Sequence, residues 1–456
     1  MKNRISRRRF VQGTGAVGAG FWISGRQMGY GQEKSPNAKV NVAVIGVDGR
    51  GASHVDGLKG ENMVALCDAD ESRLDKQAAK FPQAKKYVDY RKMLDECKEI
   101  EAVSVATPDH NHAPAAAMAL KLGKHTYCEK PMTRTIYEAR VLTELAAKNP
   151  KLVTQMGNQG HSTNERRKLA EALQQGVIGK VTEFHAWTNR PIWAQGMDRP
   201  QGGGEAPKSL HWDLWLGPAP ERPYHKQYHP FSWRGWWDFG TGALGDMACH
   251  IMDAGYWGLQ LGYPVEVEAE GDPLKPECGP KWMIVKQKFP ARKDLPAVDV
   301  IWYDGGKLPP EEKAAGIKLR GKDKDGNDKI VVANGNIFVG DKGTIVVTDE
   351  QTGSWKVIGK DGAVVDKNDV KTEETIRRVP GGMGGHFNDW VGGIKGGPRP
   401  HGEFAYSGPF TEMVLIGIPA FRVGKKLEWD GPTMKAKNCP EVDPYIKPEY
   451  RKGWSL

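Results

Sequence analysis

The chain has 456 residues, of which 39% are hydrophobic and 27% are charged, and this composition is typical of a globular protein rather than a disordered one. Its length predicts two domains, because one hydrophobic core seldom grows beyond about 250–300 residues. The formal net charge is +9, but six positive charges and no acid lie in the first thirty residues, which leaves an unremarkable +3. No basic stripe with interleaved aromatic residues follows, so we expect no nucleic-acid partner.

The N-terminus has the pattern of a targeting segment. Ser6-Arg7-Arg8-Arg9-Phe10 precedes Gly13 to Ser24, a Gly-rich and modestly apolar stretch that is too short to span a bilayer. This pattern resembles a twin-arginine signal, and a basic, disordered N-terminus is the alternative. We therefore expect residues 1–35 to be a signal peptide and linker, and the mature chain to be periplasmic or otherwise exported, with no segment inserted in a membrane.

From Lys39 onward, short apolar runs alternate with helical stretches, as in a parallel sheet covered by helices. The predicted strands are Val40–Ile45, Met63–Cys67, Ala102–Ala106, Thr126–Cys128 and Leu152–Met156. The predicted helices are Ser72–Lys80, Tyr90–Asp95, Ala113–Leu122 and Ile136–Ala147. We expect a doubly wound Rossmann domain over residues 36–158.

The pattern changes after a predicted helix at Glu165–Gln175. Longer segments of alternating polarity predict a second domain over residues 159–456, with a large, mostly antiparallel open sheet covered by helices. These segments are Val181–Trp187, Val265–Ala269, Trp282–Lys288, Val298–Tyr303 and Thr344–Val347. Gly305–Lys329 is polar and rich in Lys, Asp and Gly, which predicts a surface loop.

The first predicted strand runs directly into a Gly-rich turn, Gly46-Val47-Asp48-Gly49-Arg50-Gly51. A dinucleotide pyrophosphate requires close backbone approach and free N–H donors at such a place. The spacing differs from the usual G-x-G-x-x-G because Asp48 holds the second glycine position, and its acid must turn away from the phosphates. Asp68 ends the next strand about twenty residues on, where a carboxylate accepts hydrogen bonds from the adenosine ribose and repels the extra phosphate of NADP, so NAD is the predicted cofactor.

Two motifs follow the third and fourth strands, Thr107-Pro108-Asp109-His110-Asn111-His112 and Cys128-Glu129-Lys130-Pro131. They resemble the T-P-x-x-x-H and E-K-P segments of the glucose-fructose oxidoreductase, inositol dehydrogenase and MocA family. The resemblance implies a cofactor site that includes Thr107, Pro108, His112, Glu129 and Lys130. A lysine at the C-terminal edge of a parallel sheet points into the crevice where Rossmann ligands bind, and the resemblance gives Lys130 the role of stabilising alkoxide charge.

The second half of the site is predicted on a helix that opens near Gly242. Asp246 and His250 are four residues apart and therefore share one face of that helix. An imidazole beside a carboxylate can remove a hydroxyl proton, and the resemblance implies that both residues contact the substrate. The same pair would suit a metal, but no third and fourth ligands follow at convincing spacing, so we expect none.

Eight tryptophans crowd residues 187–257, mixed with histidines and with Arg190 and Arg234. Flat aromatic faces beside hydrogen-bond donors suit a sugar, whereas the alternative is that most of these rings fill a core or a subunit contact. The predicted substrate residues are Gln159, Arg190, Trp193 and Trp233, in addition to Asp246 and His250.

The leading hypothesis is an NAD-dependent oxidoreductase that moves a hydride between a sugar or cyclic polyol and a tightly bound nicotinamide. The alternative is a glycoside hydrolase that oxidises its substrate transiently and then eliminates the aglycone. A non-enzymatic binding protein is a third class, and the presence of Lys130, Asp246 and His250 together argues against it. The resemblance also implies a homo-oligomer.

Overall fold

The computed structural model describes residues 38–456, so the predicted signal peptide lies outside the described residues. The first domain holds a six-stranded sheet and five helices. Its strands are β1 (Asn41–Ile45), β2 (Asn62–Cys67), β3 (Lys85–Tyr87), β4 (Ala102–Val105), β5 (His125–Glu129) and β6 (Thr154–Gly157). Its helices are α1 (Arg50–Gly57), α2 (Glu71–Ala78), α3 (Tyr90–Glu96), α4 (His112–Lys121) and α5 (Ile136–Lys148).

The sheet of the first domain has the order β3-β2-β1-β4-β5-β6, and every pair is parallel. Central strand β1 is buried on both faces: Ala43 and Ile45 belong to one apolar cluster, whereas Val42 and Val44 belong to another. Helices α3, α4 and α5 contribute to the first cluster, and α1 and α2 to the second. The predicted doubly wound Rossmann sheet is confirmed.

The second domain is built on a ten-stranded sheet. Its strands in chain order are β7 (Val181–Thr188), β8 (Glu266–Gly271), β9 (Met283–Phe289), β10 (Val298–Tyr303), β13 (Asn334–Gly340), β14 (Gly343–Val347), β15 (Trp355–Gly359), β16 (Val364–Asp366), β17 (Leu427–Asp430) and β18 (Lys435–Ala436). The short hairpin β11 (Arg320–Lys322) and β12 (Asp328–Ile330) stands apart from it. The spatial order is β16-β15-β14-β13-β7-β10-β9-β8-β17-β18, and only β7 and β10 pair in parallel. This confirms the predicted, mostly antiparallel sheet.

The helices of the second domain are α6 (Asn164–Gln174), α7 (Trp212–Leu216), α8 (Gly242–Ile251), α9 (Asp253–Gly258), α10 (His386–Ile394), α11 (Phe404–Leu415), α12 (Gly417–Val423) and α13 (Asp443–Ile446). Most of them contribute to the main apolar cluster on one face of the large sheet, whereas α7 belongs to a separate aromatic cluster and α10 packs on the first domain. Phe184 and Ala186 of β7 face the helix side and join the main apolar cluster. Because side chains alternate along a strand, Trp187 points to the opposite face and joins a separate cluster.

That opposite face corrects the prediction of a surface loop at Gly305–Lys329. Residues 304–333, which we call the outer flap, carry the β11–β12 hairpin and a short helical turn at Glu311–Ala314. Leu308, Ala314 and Leu319 of the flap are buried in one cluster with Trp187. These apolar residues are widely spaced among polar ones, so the sequence shows no periodic apolar pattern from which their burial could be predicted.

The two domains are joined by more than the linker near residue 158. Helix α10 returns to the first domain, where Phe387 stacks on Tyr127 of β5 at a ring-centroid distance of 4.7 Å. Helix α11 packs against α5. Across residues 38–456, no helix has the length and apolar character needed to cross a membrane.

Candidate active site

A cleft of about 330 Å³ lies at the C-terminal edge of the parallel sheet, between the two domains. Most of the predicted cofactor residues line it: Gly46, Asp48, Gly49, Arg50, Asp68, Thr107, Pro108, His112, Glu129 and Lys130. The facing wall comes from the second domain and includes Trp215, Phe231, Trp233, Arg234 and Asp246. Residues far apart in the chain therefore converge on the edge where ligands of α/β sheets bind.

The glycine turn has the geometry that a pyrophosphate requires. Gly46 adopts a φ of +79°, and a Cβ there would lie 2.7 Å from the carbonyl carbon of Ala106. A Cβ on Gly51 would lie 2.0 Å from the carbonyl oxygen of Gly46, whereas nothing lies within 4 Å of a Cβ on Gly49. Gly51 thus closes the turn from behind, and Gly49 leaves open space in front of the N-terminus of α1.

Asp48, the residue that departs from the usual glycine spacing, directs its carboxylate toward α2. Its oxygens lie 3.6 Å from Arg73 Nη1 and 3.6 Å from Lys76 Nζ. These cations offset the acid that the sequence places beside the phosphates. The buried hydroxyl of Thr107, on the next loop of the cleft, has no hydrogen-bond partner among the described residues. An open glycine turn and an unsatisfied donor in the same cleft fit a bound dinucleotide.

Asp68 is held at the predicted ribose end of the cleft. Its carboxylate accepts hydrogen bonds from the backbone N–H of Val47 (3.0 Å) and of Asp70 (3.0 Å), and burial raises its pKa. A segment of the second domain covers the adjoining turn, where Glu71 N donates to Ser209 O and His211 N donates to Ala69 O, both at 2.8 Å. The predicted adenosine end is therefore closed by both domains.

Glu129 is buried at the end of β5 and carries three contacts on one oxygen. Its Oε1 lies 2.7 Å from Arg50 Nε, 3.0 Å from His54 Nε2 and 2.9 Å from Gln159 Nε2. Burial would raise the pKa of Glu129, but the hydrogen bond with His54 and the positive charges of Arg50 and Lys130 outweigh it, and the pKa lies well below its usual range. Gln159, a predicted substrate residue, is thus a partner of Glu129 and does not line the cleft.

His112 joins two loops of the cleft from beneath. Its ring nitrogens lie 2.8 Å from the carbonyl oxygen of Thr107 and 2.8 Å from that of Pro131. The ring thereby ties the T-P-x-x-x-H loop to the loop that carries Lys130.

Lys130 reaches across the domain boundary to Asp246 on α8. Its ammonium donates to the backbone oxygen of Asp246 at 2.8 Å and to Oδ1 at 3.1 Å. Burial would lower the pKa of Lys130, but attraction by Asp246 and Glu129 outweighs it, and the pKa is raised. Lys130 is therefore a cation at neutral pH, and it can stabilise negative charge but cannot serve as a base.

His250 lies one turn after Asp246 on α8, as the spacing predicts, and its Nδ1 is 3.1 Å from Asn158 Oδ1. Burial, followed by the charge of Lys130, lowers the pKa of His250 to about 3. The imidazole is therefore neutral over the physiological range and can accept a proton. His250 is half-buried and is not among the residues that line the cleft, but it lies one helical turn from Asp246, which is.

The structure separates the other predicted substrate residues. Trp233 lines the cleft, whereas Trp193 is buried with its indole N–H on Gln195 Oε1 at 2.7 Å, and Arg190 lies beyond the end of β7. Sequence reasoning did not select Arg234 for the site, although its guanidinium lies 4.3 Å above the Trp233 ring and its Nε is 3.5 Å from Asp246 Oδ1. The sequence could have indicated Arg234, because this cation directly follows Trp233, a predicted substrate residue.

No group of three or more His, Cys, Asp or Glu side chains within residues 38–456 is arranged to hold a metal ion.

Comparisons with known proteins agree with this geometry. A family model described as "Oxidoreductase family, NAD-binding Rossmann fold" (GFO_IDH_MocA) matches residues 40–156. The companion model, "Oxidoreductase family, C-terminal alpha/beta domain", matches residues 168–294. Together the two matches cover more than half of the chain and fall on the two halves of the cleft.

Among curated relatives, a "Glycosyl hydrolase family 109 protein" of Saccharopolyspora erythraea is 29% identical over 206 residues, which are 39% of this chain and 44% of the relative. The "Levoglucosan dehydrogenase" of Pseudarthrobacter phenanthrenivorans is 30% identical over 170 residues, 36% of this chain and 34% of the relative. The matched region thus spans less than half the length of either relative. The solved WlbA dehydrogenase of Bordetella pertussis, in complex with NADH and UDP-GlcNAcA, covers 85% of this chain and 98% of its own, with a TM-score of 0.58 at 15% identity, which shows a shared fold.

Proposed function

Because the chain belongs to the Gfo/Idh/MocA oxidoreductase family, we propose that it is an NAD-dependent oxidoreductase acting on a CH–OH group of a sugar or cyclic polyol. The observation that carries the proposal is the contact of Lys130 with Asp246 in the interdomain cleft. Oxidation of an alcohol requires that the hydroxyl proton leave and that the negative charge on its oxygen be stabilised. The neutral imidazole of His250 can accept the proton, and the ammonium of Lys130 can stabilise the charge.

The nicotinamide supplies the acceptor for the substrate's hydride when it is bound. The chain's own residues handle the proton and the charge. His250 removes the hydroxyl proton, and the Lys130 ammonium stabilises the oxygen that becomes an alkoxide. Asp246 holds Lys130 in place and accepts a hydrogen bond from a second substrate hydroxyl. The product is a keto-sugar, and the same groups run the reaction in reverse.

A sugar is the proposed substrate because the part of the cleft next to Asp246 combines a flat ring with donors. Trp233 and Phe231 line it with aromatic rings, and Lys130 and Arg234 offer N–H groups for hydroxyls. The relatives named for levoglucosan and for glycosides support this class.

The proposed cofactor is NAD rather than NADP, since the Asp68 carboxylate would repel a 2′-phosphate. We further propose that the dinucleotide stays bound through turnover. The adenosine end of the dinucleotide would lie beside Trp454 and beneath the hydrogen bonds that residues 209–211 make with the turn after β2. These hydrogen bonds must break before the dinucleotide can leave.

The direct test is purification of the protein, a search for co-purified NAD by absorbance, and a screen of sugars with wild type and Lys130→Ala. We expect turnover on a sugar that is lost in the variant while NAD remains bound. Equal turnover in the two proteins would contradict the proposed role of Lys130.

An NAD-dependent glycoside hydrolase is the second candidate, favoured by the similarity to glycosyl hydrolase family 109 proteins. In this reaction the same groups oxidise the sugar transiently, the aglycone is eliminated to leave an unsaturated ketone, water adds to that ketone, and the hydride returns to the carbonyl carbon. Aryl glycosides distinguish the two. Release of the aryl group with no net change in absorbance at 340 nm identifies a hydrolase, and reduction of the bound NAD, seen as a rise in absorbance at 340 nm without aryl release, identifies a dehydrogenase.

Export by the twin-arginine route to the periplasm, or otherwise out of the cytoplasm, remains a proposal. It rests on the Arg7-Arg8-Arg9 segment, and it suits a protein that must capture NAD in the cytoplasm and leave folded. Fractionation of cells that express wild type or an Arg7→Lys/Arg8→Lys/Arg9→Lys variant tests it.

Homo-oligomerisation, proposed from the family, is tested by light scattering.

A further inference from the structure

Asn158, which directly follows β6, holds the proposed base from behind. Its Oδ1 lies 3.1 Å from His250 Nδ1, and its amide nitrogen donates to the backbone oxygen of Cys249 at 2.7 Å. Arg166 Nη1 lies 3.5 Å from the same Oδ1. Both contacts fix the orientation of the amide, because the carbonyl of Cys249 needs a donor and the guanidinium of Arg166 needs an acceptor.

An amide oxygen can only accept a hydrogen bond, so Nδ1 of His250 must carry the proton. A neutral imidazole has one N–H, which leaves the lone pair on Nε2. We propose that Asn158 is a positioning residue that fixes His250 in the Nδ1–H tautomer, with Nε2 as the basic nitrogen. This inference rests on the proposed function for its role in catalysis, but the tautomer itself is a property of the folded protein.

The surroundings keep the ring neutral as well as oriented. The charged groups that face His250 are Lys130 and Glu129 from the end of β5, Asp246 from its own helix, and Arg166 from α6. Arg166 is itself held by Asp253, whose Oδ2 lies 3.3 Å from its Nη1, and Asp253 also binds His161 and Tyr406. Burial and, after it, the cations Lys130 and Arg166 oppose protonation of the ring and lower its pKa, so the imidazole carries a single proton on Nδ1 and keeps the lone pair on Nε2.

A matched control lies at the end of the same helix. The buried amide of Asn336 donates to the backbone oxygen of Ile251 at 2.9 Å and makes no hydrogen bond to His250. Asn158→Leu and Asn336→Leu therefore each remove one buried amide bond to the last turn of α8, but only the first removes the partner of the imidazole. We expect Asn158→Leu to lower kcat roughly 10- to 100-fold with little change in KM, and Asn336→Leu to leave kcat within about twofold. An equal loss in both variants, or none in Asn158→Leu, would overturn the inference.

The conservative variant Asn158→Asp keeps an acceptor on Nδ1 but adds a negative charge. It should retain more activity than Asn158→Leu, and it should move the acid limb of the kcat/KM profile upward by one pH unit or more, because a neighbouring carboxylate favours the imidazolium. An unchanged acid limb in this variant contradicts a contact between the two side chains.

Nitrogen NMR of protein with ¹⁵N-labelled histidine reads the tautomer without any turnover, with the His250 signals assigned by a His250→Gln variant. We expect an N–H at Nδ1 and a lone pair at Nε2 in wild type and in Asn336→Leu, and a mixture of tautomers in Asn158→Leu. An Nε2–H tautomer in wild type refutes the inference. The Nδ1–H tautomer in a protein that oxidises no sugar would leave the inference intact and refute the proposed function.

Discussion

Variants of the Lys130–Asp246 pair can separate its contribution to the free energy of unfolding from its contribution to activity. Lys130→Met removes two hydrogen bonds from a charged donor and leaves the Asp246 carboxylate with Arg234 Nε at 3.5 Å. Hydrogen bonds to charged groups contribute about 1.5–3 kcal/mol each, and the remaining guanidinium offsets part of the loss. We therefore expect Lys130→Met to lower the free energy of unfolding by about 1–3 kcal/mol, and Asp246→Asn to have a similar effect.

The double variant Lys130→Met/Asp246→Asn should lose less stability than the sum of the two single losses, by about 0.5–3 kcal/mol, because neither charge is then left unpaired. Urea unfolding followed by tryptophan fluorescence and circular dichroism measures all four proteins. Activity should remain lost in the double variant, since stabilisation of the alkoxide needs the ammonium itself. Strictly additive losses of stability would show that the two side chains do not pair in solution and would remove the basis of the site.

Three further changes test other parts of the molecule. Asp68→Ala removes the charge that opposes a 2′-phosphate, and titration should show the ratio of NADP to NAD affinity rising at least tenfold; an unchanged ratio would place the ribose elsewhere. Gly46→Ala places a methyl group 2.7 Å from the carbonyl carbon of Ala106 at a φ of +79°, so the purified variant should carry no NAD and unfold at a lower urea concentration, whereas normal NAD content would contradict the turn geometry. His386 is buried with Nε2 on the carbonyl of Met156, and burial lowers its pKa to about 3. The unfolded chain binds a proton there near pH 6.5 and the folded chain does not, so its contribution to stability is present above pH 6.5 and is lost as the pH falls toward 3. A His386→Asn variant should therefore lose less stability than wild type between pH 7 and 5, and parallel curves would refute this.

The Rossmann half was predictable because its signals are local. Continuous apolar runs such as Val42–Ile45 can be buried only between two helical layers, and the observed strands β1, β2, β4 and β5 agree with prediction to within about one residue at each end. Short edge strand β3 was missed, because three residues that are mostly exposed carry no pattern. Helix α1 was also missed, since Arg50–Gly57 contains two glycines and few apolar residues.

The site was only partly predictable. Residues that belong to motifs, such as Lys130 and Asp246, are brought together by the fold, and the spacing of Asp246 and His250 was sufficient to place them on one helix. Composition alone did not distinguish Trp233, which lines the cleft, from Trp193, which is buried beside Gln195, because both are tryptophans in the same aromatic stretch. The contact of Asn158 with His250 could not be predicted from the sequence, since it depends on how β6 approaches α8 in space.

The outer flap has a consequence for how this sheet meets other molecules. Trp187, Ile337 and Val346 would form a continuous apolar surface on that face, and the flap occupies it within the same chain. A second subunit that approached there would touch the charged outer side of the hairpin rather than the strands. Detachment of the flap, for example in a Leu319→Asp variant, would therefore expose this apolar surface to water. Such a variant should aggregate before the structure of the cleft is lost.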